Sequence, residues 1–368
     1  MSGDELTTAP TARFARHALL PGWNQARLTG GCAVILGVGA LGNGVAQSLA
    51  LAGIGRLILC DPDRVEPSNL SRAPLFRDHH VGWLKVAAAA ETLAGLAPGL
   101  RIDLRPQRLE HGVGLAELRD AAIVLGCLDS RAARLELAGR CGLVRAPWID
   151  GATGAWDGEV RLYLDPDGPC YGCGQPPEAR TAAEMPASCA LPPADSGPAG
   201  AAAPLSAVIG AHMALAAIRH IMGLPTPGGI LELDGSRGVM RPIRQDRDPA
   251  CAFHQALPSA RPVAVSSRNT VGDLLTALGP QRAPMAWTPI VIAVRCLACG
   301  HRGSGPAAAD ASAICPDCGA PLRRRTTQDL TQVDGNAVLA DLGIPPREIL
   351  AVRSADAFDF VELADFVE

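Results

Sequence analysis

The stretch C-A-V-I-L-G-V-G-A-L-G at residues 32–42 decides the fold. Its uninterrupted apolar run reads as a strand buried on both faces, and three glycines spaced G-x-G-x-x-G come next at Gly37, Gly39 and Gly42. Residues 43–52 then keep a helical pattern, and a second apolar run at 57–60 ends on Asp61. Strand, glycine turn, helix and strand make the opening unit of a Rossmann-like sheet. Such a turn lets phosphates approach a helix N-terminus, and the acidic residue after the second strand takes ribose hydroxyls. On its own this combination fits an NAD-dependent oxidoreductase.

Working outward, residues 85–97 are alanine-rich and helical, 101–104 read as a strand, and 121–127 form an apolar strand ending near Asp129. Strands alternating with helices imply an α/β fold, a mostly parallel sheet with helices on both faces. Residues 158–164 alternate like a strand. Residues 174–204, rich in Pro, Ala, Ser and Gly, read as a long irregular crossover loop that carries Cys189. A helix is expected at 205–222 and a strand at 230–233. A composition break at 257–262 sets the expected boundary: residues 1–257 form the nucleotide-binding domain and 258–368 a smaller C-terminal domain. In the latter, a helix at 271–278 and a strand at 290–295 precede a zinc ribbon at 296–318.

Composition bounds the rest. Hydrophobic residues make up 48% and charged residues 19% of the 368, which suits a folded globular chain of about two domains. A net charge of -4 gives no whole-chain reason to expect nucleic acid or an anionic membrane as partner. The most hydrophobic segment, residues 205–222, is interrupted by His212, Arg219 and His220, and a cytosolic protein without a membrane span is expected.

The chain has 12 cysteines. Three C-x-x-C pairs account for half of them, which in a cytosolic chain reads as metal ligation rather than disulfide bonding. Cys296, Cys299, Cys315 and Cys318 give the spacing of a zinc ribbon, a staple for a module too small for a large core. Arg323, Arg324 and Arg325 raise nucleic acid as an alternative use of that module, against which stand its acidic flanks and the lack of interleaved aromatics. Cys32, Cys60, Cys127 and Cys141 sit in apolar or helical surroundings and read as inert thiols.

The residues after Asp61 change the oxidoreductase reading. The run D-P-D-R-V-E-P-S-N-L-S-R at 61–72 and V-G-W-L-K at 81–85 resemble the ThiF/MoeB/HesA family, the bacterial relatives of ubiquitin-activating enzymes. Asn69, Arg72 and Lys85 match its S-N-L-x-R and V-G-x-x-K pattern, and C-L-D-S-R at 127–131 matches its strand-end aspartate. The resemblance implies that Arg72 and Lys85 contact ATP phosphates and that Asp129 orients Mg²⁺. The physical demand is that a carboxylate attacking the α-phosphate be shielded from the nucleotide's negative charge. R-F-A-R at 13–16 resembles the family's N-terminal arginine pair, so Arg16 is a candidate finger supplied in trans within a homodimer. Asp63 stays outside this expected site.

The same resemblance implies a structural zinc held by two split pairs, Cys170 with Cys173 and Cys251 with His254. The family usually has cysteine at the last position; imidazole is a competent zinc donor, and zinc is expected to persist. Cys189 lies where the family's loop can carry an acceptor cysteine, or it is an incidental thiol. The expected activity is ATP-dependent adenylation of the C-terminal carboxylate of a small ubiquitin-like or sulfur-carrier protein, with thioester formation on Cys189 and a conjugating enzyme as further partner. Adenylation of a peptide or tRNA-linked carboxylate, NAD-dependent oxidation and a non-catalytic scaffold stay open as alternatives.

Overall fold

Ala33, Val34, Ile35 and Leu36 are almost wholly buried in β1 (Cys32–Leu36), the strand that the apolar run predicts. The structure, a computed structural model, describes residues 13–176, 178, 180, 202–308, 314–355 and 357–365. β1 pairs in parallel with β2 (Arg56–Cys60), which pairs in parallel with β3 (Arg101–Arg105). On its other side β1 pairs in parallel with β4 (Ile123–Gly126), next to which lies β5 (Trp148–Thr153). β6 (Asp157–Tyr163), β7 (Gly229–Asp234) and β8 (Val239–Ile243) add antiparallel, giving an eight-stranded sheet in the order β3-β2-β1-β4-β5-β6-β7-β8.

The chain leaves β1 toward β2 and later returns to β1's opposite side as β4. That reversal opens a crevice beyond the carboxyl ends of β1 and β4, where ligands of such sheets bind. The glycine turn and Asp129 come directly after those two strand ends.

Helix Ala40–Ala52 begins at the turn and stops at Gly53, in the left-handed region with φ 90°. It packs on helix Ala203–Ile221, whose Leu205, Ile209, Met213 and Ala217 join Leu41, Val45 and Leu49 in one core. By length and composition that second helix could cross a membrane, but half of its apolar window is buried against the rest of the chain. The sequence pattern predicts neither β5 nor β8. In β5 the polar Asp150 and a glycine interrupt the apolar signal, and β8 is an exposed edge strand carrying Pro242.

A second unit comprises Glu110–Glu117 and Ala256–Glu368, and the first holds the described residues as far as Leu109 with Leu118–Gln255. The expected boundary at 257/258 differs by leaving Glu110–Glu117 with the nucleotide domain. Long-range bonds attach that segment to the second unit: the Leu115 N–H donates to Glu348 Oε1 at 3.1 Å, and His111 Nδ1 lies 2.8 Å from the Gly343 carbonyl oxygen. So short a segment carries no periodicity that would reveal this.

The second unit is built on a six-stranded sheet of β9 (Arg261–Val263), β10 (Ala283–Cys296), β11 (Arg302–Ala308), β12 (Leu322–Asp329), β13 (Ile349–Arg353) and β14 (Phe358–Leu363). The strand expected at 290–295 is the far half of the longer β10, which pairs with β11, β12 and β13. Helix Val271–Leu278 starts on a capping box between Thr270 and Asp273, and its Val271, Leu274 and Leu278 enter this unit's core with Ile290, Leu339, Leu350 and Val361.

Candidate nucleotide site and metal centres

The glycines of the turn have different duties. Gly37 has φ 88°, and a Cβ there would lie 2.3 Å from the Cys127 carbonyl oxygen; a Cβ on Gly42 would lie 2.0 Å from the Gly37 carbonyl oxygen. Both are required by the backbone itself. A Cβ on Gly39 would meet nothing within 4 Å, so this glycine borders the open side of the crevice. It precedes the Ala40–Ala52 helix, whose first N–H groups lack intrahelical partners and favour an anion.

Asp61 is buried at the end of β2. Its Oδ2 accepts the Val38 N–H at 2.7 Å and its Oδ1 the Asp63 N–H at 2.8 Å, which leaves one lone pair on each oxygen for ribose hydroxyls. Burial pushes the carboxyl above the ordinary range, against the opposing pull of Lys85 and the two backbone N–H groups. Lys85 Nζ donates to Asp63 Oδ2 at 2.8 Å. Burial pulls the Lys85 ammonium toward neutrality, but Asp61, Asp63 and Asp129 outweigh it and hold its pKa above the usual lysine value. The structure thus brings Asp61, Lys85 and Asp129 into one electrostatic group, and Asp63, which the sequence left outside, belongs to it.

Asp129 is exposed after β4, and the next helix, Arg131–Val144, is capped by Ser130, whose Oγ accepts the Ala133 N–H at 3.2 Å. The aspartate is therefore free of capping duty. Asn69 Oδ1 accepts the Glu66 N–H at 3.0 Å, and Arg72 Nη1 donates to the Ser68 carbonyl oxygen at 2.8 Å, which holds this arginine on its own loop. Arg16 is exposed just before the short turn His17–Leu19. Among the described residues neither arginine forms an ion pair with Asp61, Asp63 or Asp129. Cys189 lies outside the described residues.

Sequence reasoning missed Asn43. It is fully buried, its Nδ2 donates to the carbonyl oxygens of Val38 at 2.9 Å and Gly39 at 3.0 Å, and its Oδ1 accepts the Leu75 N–H at 2.9 Å. The signal available was a polar residue on the buried face of a helix otherwise lined by leucine, valine and alanine.

Cys170, Cys173, Cys251 and His254 converge, with their ligand atoms all within 4.8 Å of one another. The Cys170–Cys173 and Cys170–Cys251 sulfur separations are 3.7 and 3.6 Å, and Cys173 Sγ lies 3.1 Å from His254 Nε2. Two thiolates on a tetrahedral zinc sit about 3.8 Å apart, given Zn–S bonds of about 2.3 Å. Burial, with help from Arg247, lowers the His254 pKa and favours the neutral imidazole that a metal requires. Cys296, Cys299, Cys315 and Cys318 also converge, with Cys296–Cys318 at 3.5 Å and Cys299–Cys315 at 3.6 Å. The backbone N–H of Cys299 leads in pulling the Cys296 thiol down to about 6, and thiolate is the ligating form. Both cysteine clusters have the donors and spacing to hold zinc. Of the four apolar-environment thiols, Cys60 and Cys141 are buried and Cys32 and Cys127 half-buried.

The ThiF family profile matches residues 13–253. Among curated proteins, the adenylyltransferase and sulfurtransferase MOCS3 of Drosophila yakuba is 34% identical over 264 residues, covering 69% of this chain and 55% of that protein. The chain spans about half the length of the curated relatives it matches. The crystal structure of E. coli MccB with MccA-N7isoASN aligns with TM-score 0.55 at 22% identity over 68% of this chain and 76% of that one. That of E. coli MccB with ATP aligns with TM-score 0.50 at 22% identity over 62% and 68%. At these identities the likeness is one of fold.

Proposed function

The chain belongs to the ThiF family, and from that premise we propose that it uses Mg²⁺-ATP to adenylate the C-terminal carboxylate of a small ubiquitin-like or sulfur-carrier protein. The observation that carries this reading is that Asp61, bonded to the Val38 N–H next to the open Gly39, and Asp129 both act electrostatically on Lys85, at strand ends where the sheet reverses direction. In this reading Asp61 takes the ribose, the helix N-terminus after Gly39 the phosphates, and Asp129 the Mg²⁺. A carboxylate oxygen of the substrate attacks the α-phosphorus, the bond to the β-phosphate bridging oxygen breaks, and pyrophosphate leaves. Lys85 and Arg72 neutralise charge on the phosphates, for which Arg72 swings off the Ser68 carbonyl; Arg16 serves the site of a second protomer in a homodimer.

Cys189 is the proposed acceptor: its thiolate attacks the acyl carbon, a thioester forms and AMP leaves. Two structural zinc ions hold the paired cysteine sites, and a conjugating enzyme receives the thioester. The reading puts the enzyme in a reducing cytoplasm, in line with described cysteines that form no disulfide and with metal-ligating thiolates.

The test is ATP–pyrophosphate exchange in the presence of a purified carrier protein ending in Gly-Gly. Arg72→Ala and Asp129→Ala are each expected to lower exchange by about a hundredfold or more. Exchange that survives both sinks the site. Exchange supported only by a free peptide or a tRNA-linked carboxylate would move the substrate class, and tight NAD binding without ATP binding would return the chain to the oxidoreductases. Cys189→Ala should abolish a reducible thioester while exchange continues.

A further inference from the structure

We propose that the ribbon sheet of the second unit presents a docking surface for an acidic polypeptide segment. Arg295 on β10 is the direct cross-strand partner of Arg302 on β11 and of Arg323 on β12. Cross-strand partners share a face, and Arg325, two residues beyond Arg323, lies on that face as well. All four arginines are exposed. Among the described residues none of the four has a carboxylate partner.

Like charges placed directly opposite one another destabilise a sheet. Elsewhere such pairs carry counter-charges from the chain itself: Arg56 faces Arg101 across β2 and β3 and both pair with Asp103, Glu159 faces Glu232 across β6 and β7 with Arg161 and Arg241 as their partners, and Asp234, opposite Asp157, pairs with Arg237. Arg347 pairs with Glu362 and Arg353 with Asp329 within the second unit itself. The row of three opposed guanidinium groups with a fourth beside it has no such counter-charge among the described residues. Its cost is recovered when carboxylates from another molecule lie along the row, each able to accept two parallel N–H bonds from a guanidinium.

Charge alone fits a nucleic acid too, but the side chains around the row favour a polypeptide. Base stacking needs exposed aromatic rings. On β10, β11 and β12 the aromatic residue is Trp287, whose indole N–H is committed to the Ile349 carbonyl oxygen at 2.6 Å. The exposed large side chains near the knuckles are aliphatic, Leu297 at 65% and Ile314 at 59% exposure, and they suit the apolar residues of an acidic amphipathic segment.

The test uses the full-length chain and a fluorescein-labelled synthetic peptide of alternating glutamate and leucine, with single-stranded and duplex oligonucleotides of equal net charge as competitors. The expected result is peptide binding that weakens with salt, falls about tenfold or more in the R295Q/R323Q variant, and resists the oligonucleotides. Peptide binding unchanged in R295Q/R323Q, or oligonucleotides that displace the peptide at equal charge, would overturn the proposal. A melting experiment guards against misfolding: R323E places a carboxylate beside Arg295, so it is expected to raise the thermal midpoint while abolishing peptide binding. A lowered midpoint contradicts the unpaired row on which the proposal stands.

Discussion

Asn43 accepts the backbone N–H of Leu75 on its side-chain oxygen at 2.9 Å while its amide nitrogen holds the carbonyl oxygens of Val38 and Gly39. One buried amide thereby joins the glycine turn to the segment just after the S-N-L-S-R run. Asn43→Ala leaves the buried Leu75 N–H without a partner and is expected to cost about 2–4 kcal/mol in urea unfolding, with weaker ATP binding. Asn43→Asp should be no better, because carboxylate oxygens would then face two carbonyls. A variant that unfolds at the wild-type urea midpoint would remove Asn43 from this role.

Gly39 and Gly42 separate nucleotide binding from backbone need. Gly42→Ala drives a Cβ into the Gly37 carbonyl oxygen and should lower stability by about 2–3 kcal/mol. Gly39→Ala meets no atom within 4 Å, at a φ of -80° that alanine accepts, and should leave the melting temperature nearly unchanged while weakening ATP in calorimetric titration. Equal destabilisation by both variants would contradict the division.

Lys85 is held cationic by Asp61, Asp63 and Asp129. Lys85→Ala is expected to lower pyrophosphate exchange by about a hundred- to a thousandfold. Because the surrounding carboxylates raise its pKa, the pH–rate profile of the wild type should show no loss between about pH 7 and 9 traceable to this residue. A basic limb in that window that disappears in Lys85→Arg would refute the assignment.

Asp150 is fully buried between Arg134 Nε at 3.2 Å and Arg161 Nη1 at 3.8 Å. Burial pushes its carboxyl from 3.8 to about 6 despite the two guanidinium groups. The native state then binds more protons than the unfolded chain between about pH 4 and 6, so this residue's contribution to stability falls as pH rises through that window and is flat above it. Relative to Asp150→Asn, the wild type should lose roughly 3 kcal/mol of stability across it. A difference independent of pH in denaturant titrations would falsify the shift.

Metal analysis should return two zinc ions per chain. Cys251→Ser and Cys315→Ser should each remove one, and His254→Cys should retain both, since thiolate replaces imidazole without changing the number of donors. Stripping with a chelator is expected to lower the thermal midpoint of the wild type. A wild-type chain with one zinc, unaltered by Cys251→Ser, would leave the split cluster as bare thiols.

The sequence alone determined the start of the parallel sheet, the positions of Gly37, Gly39, Gly42 and Asp61, and the grouping of the ribbon cysteines. These are local: apolar runs, a turn whose Gly37 and Gly42 have no room for a Cβ, and ligand spacings within a few residues. Tertiary structure alone decided that Asp63 reaches Lys85, that Asn43 meets Leu75, that Glu110–Glu117 belongs to the second unit, and that Arg295, Arg302 and Arg323 stand in one row. Each depends on strand register or on chain segments brought together from a distance. Strand pairing has no signature in the spacing of one strand's residues, and a shift of one residue would turn the same arginine to the opposite face.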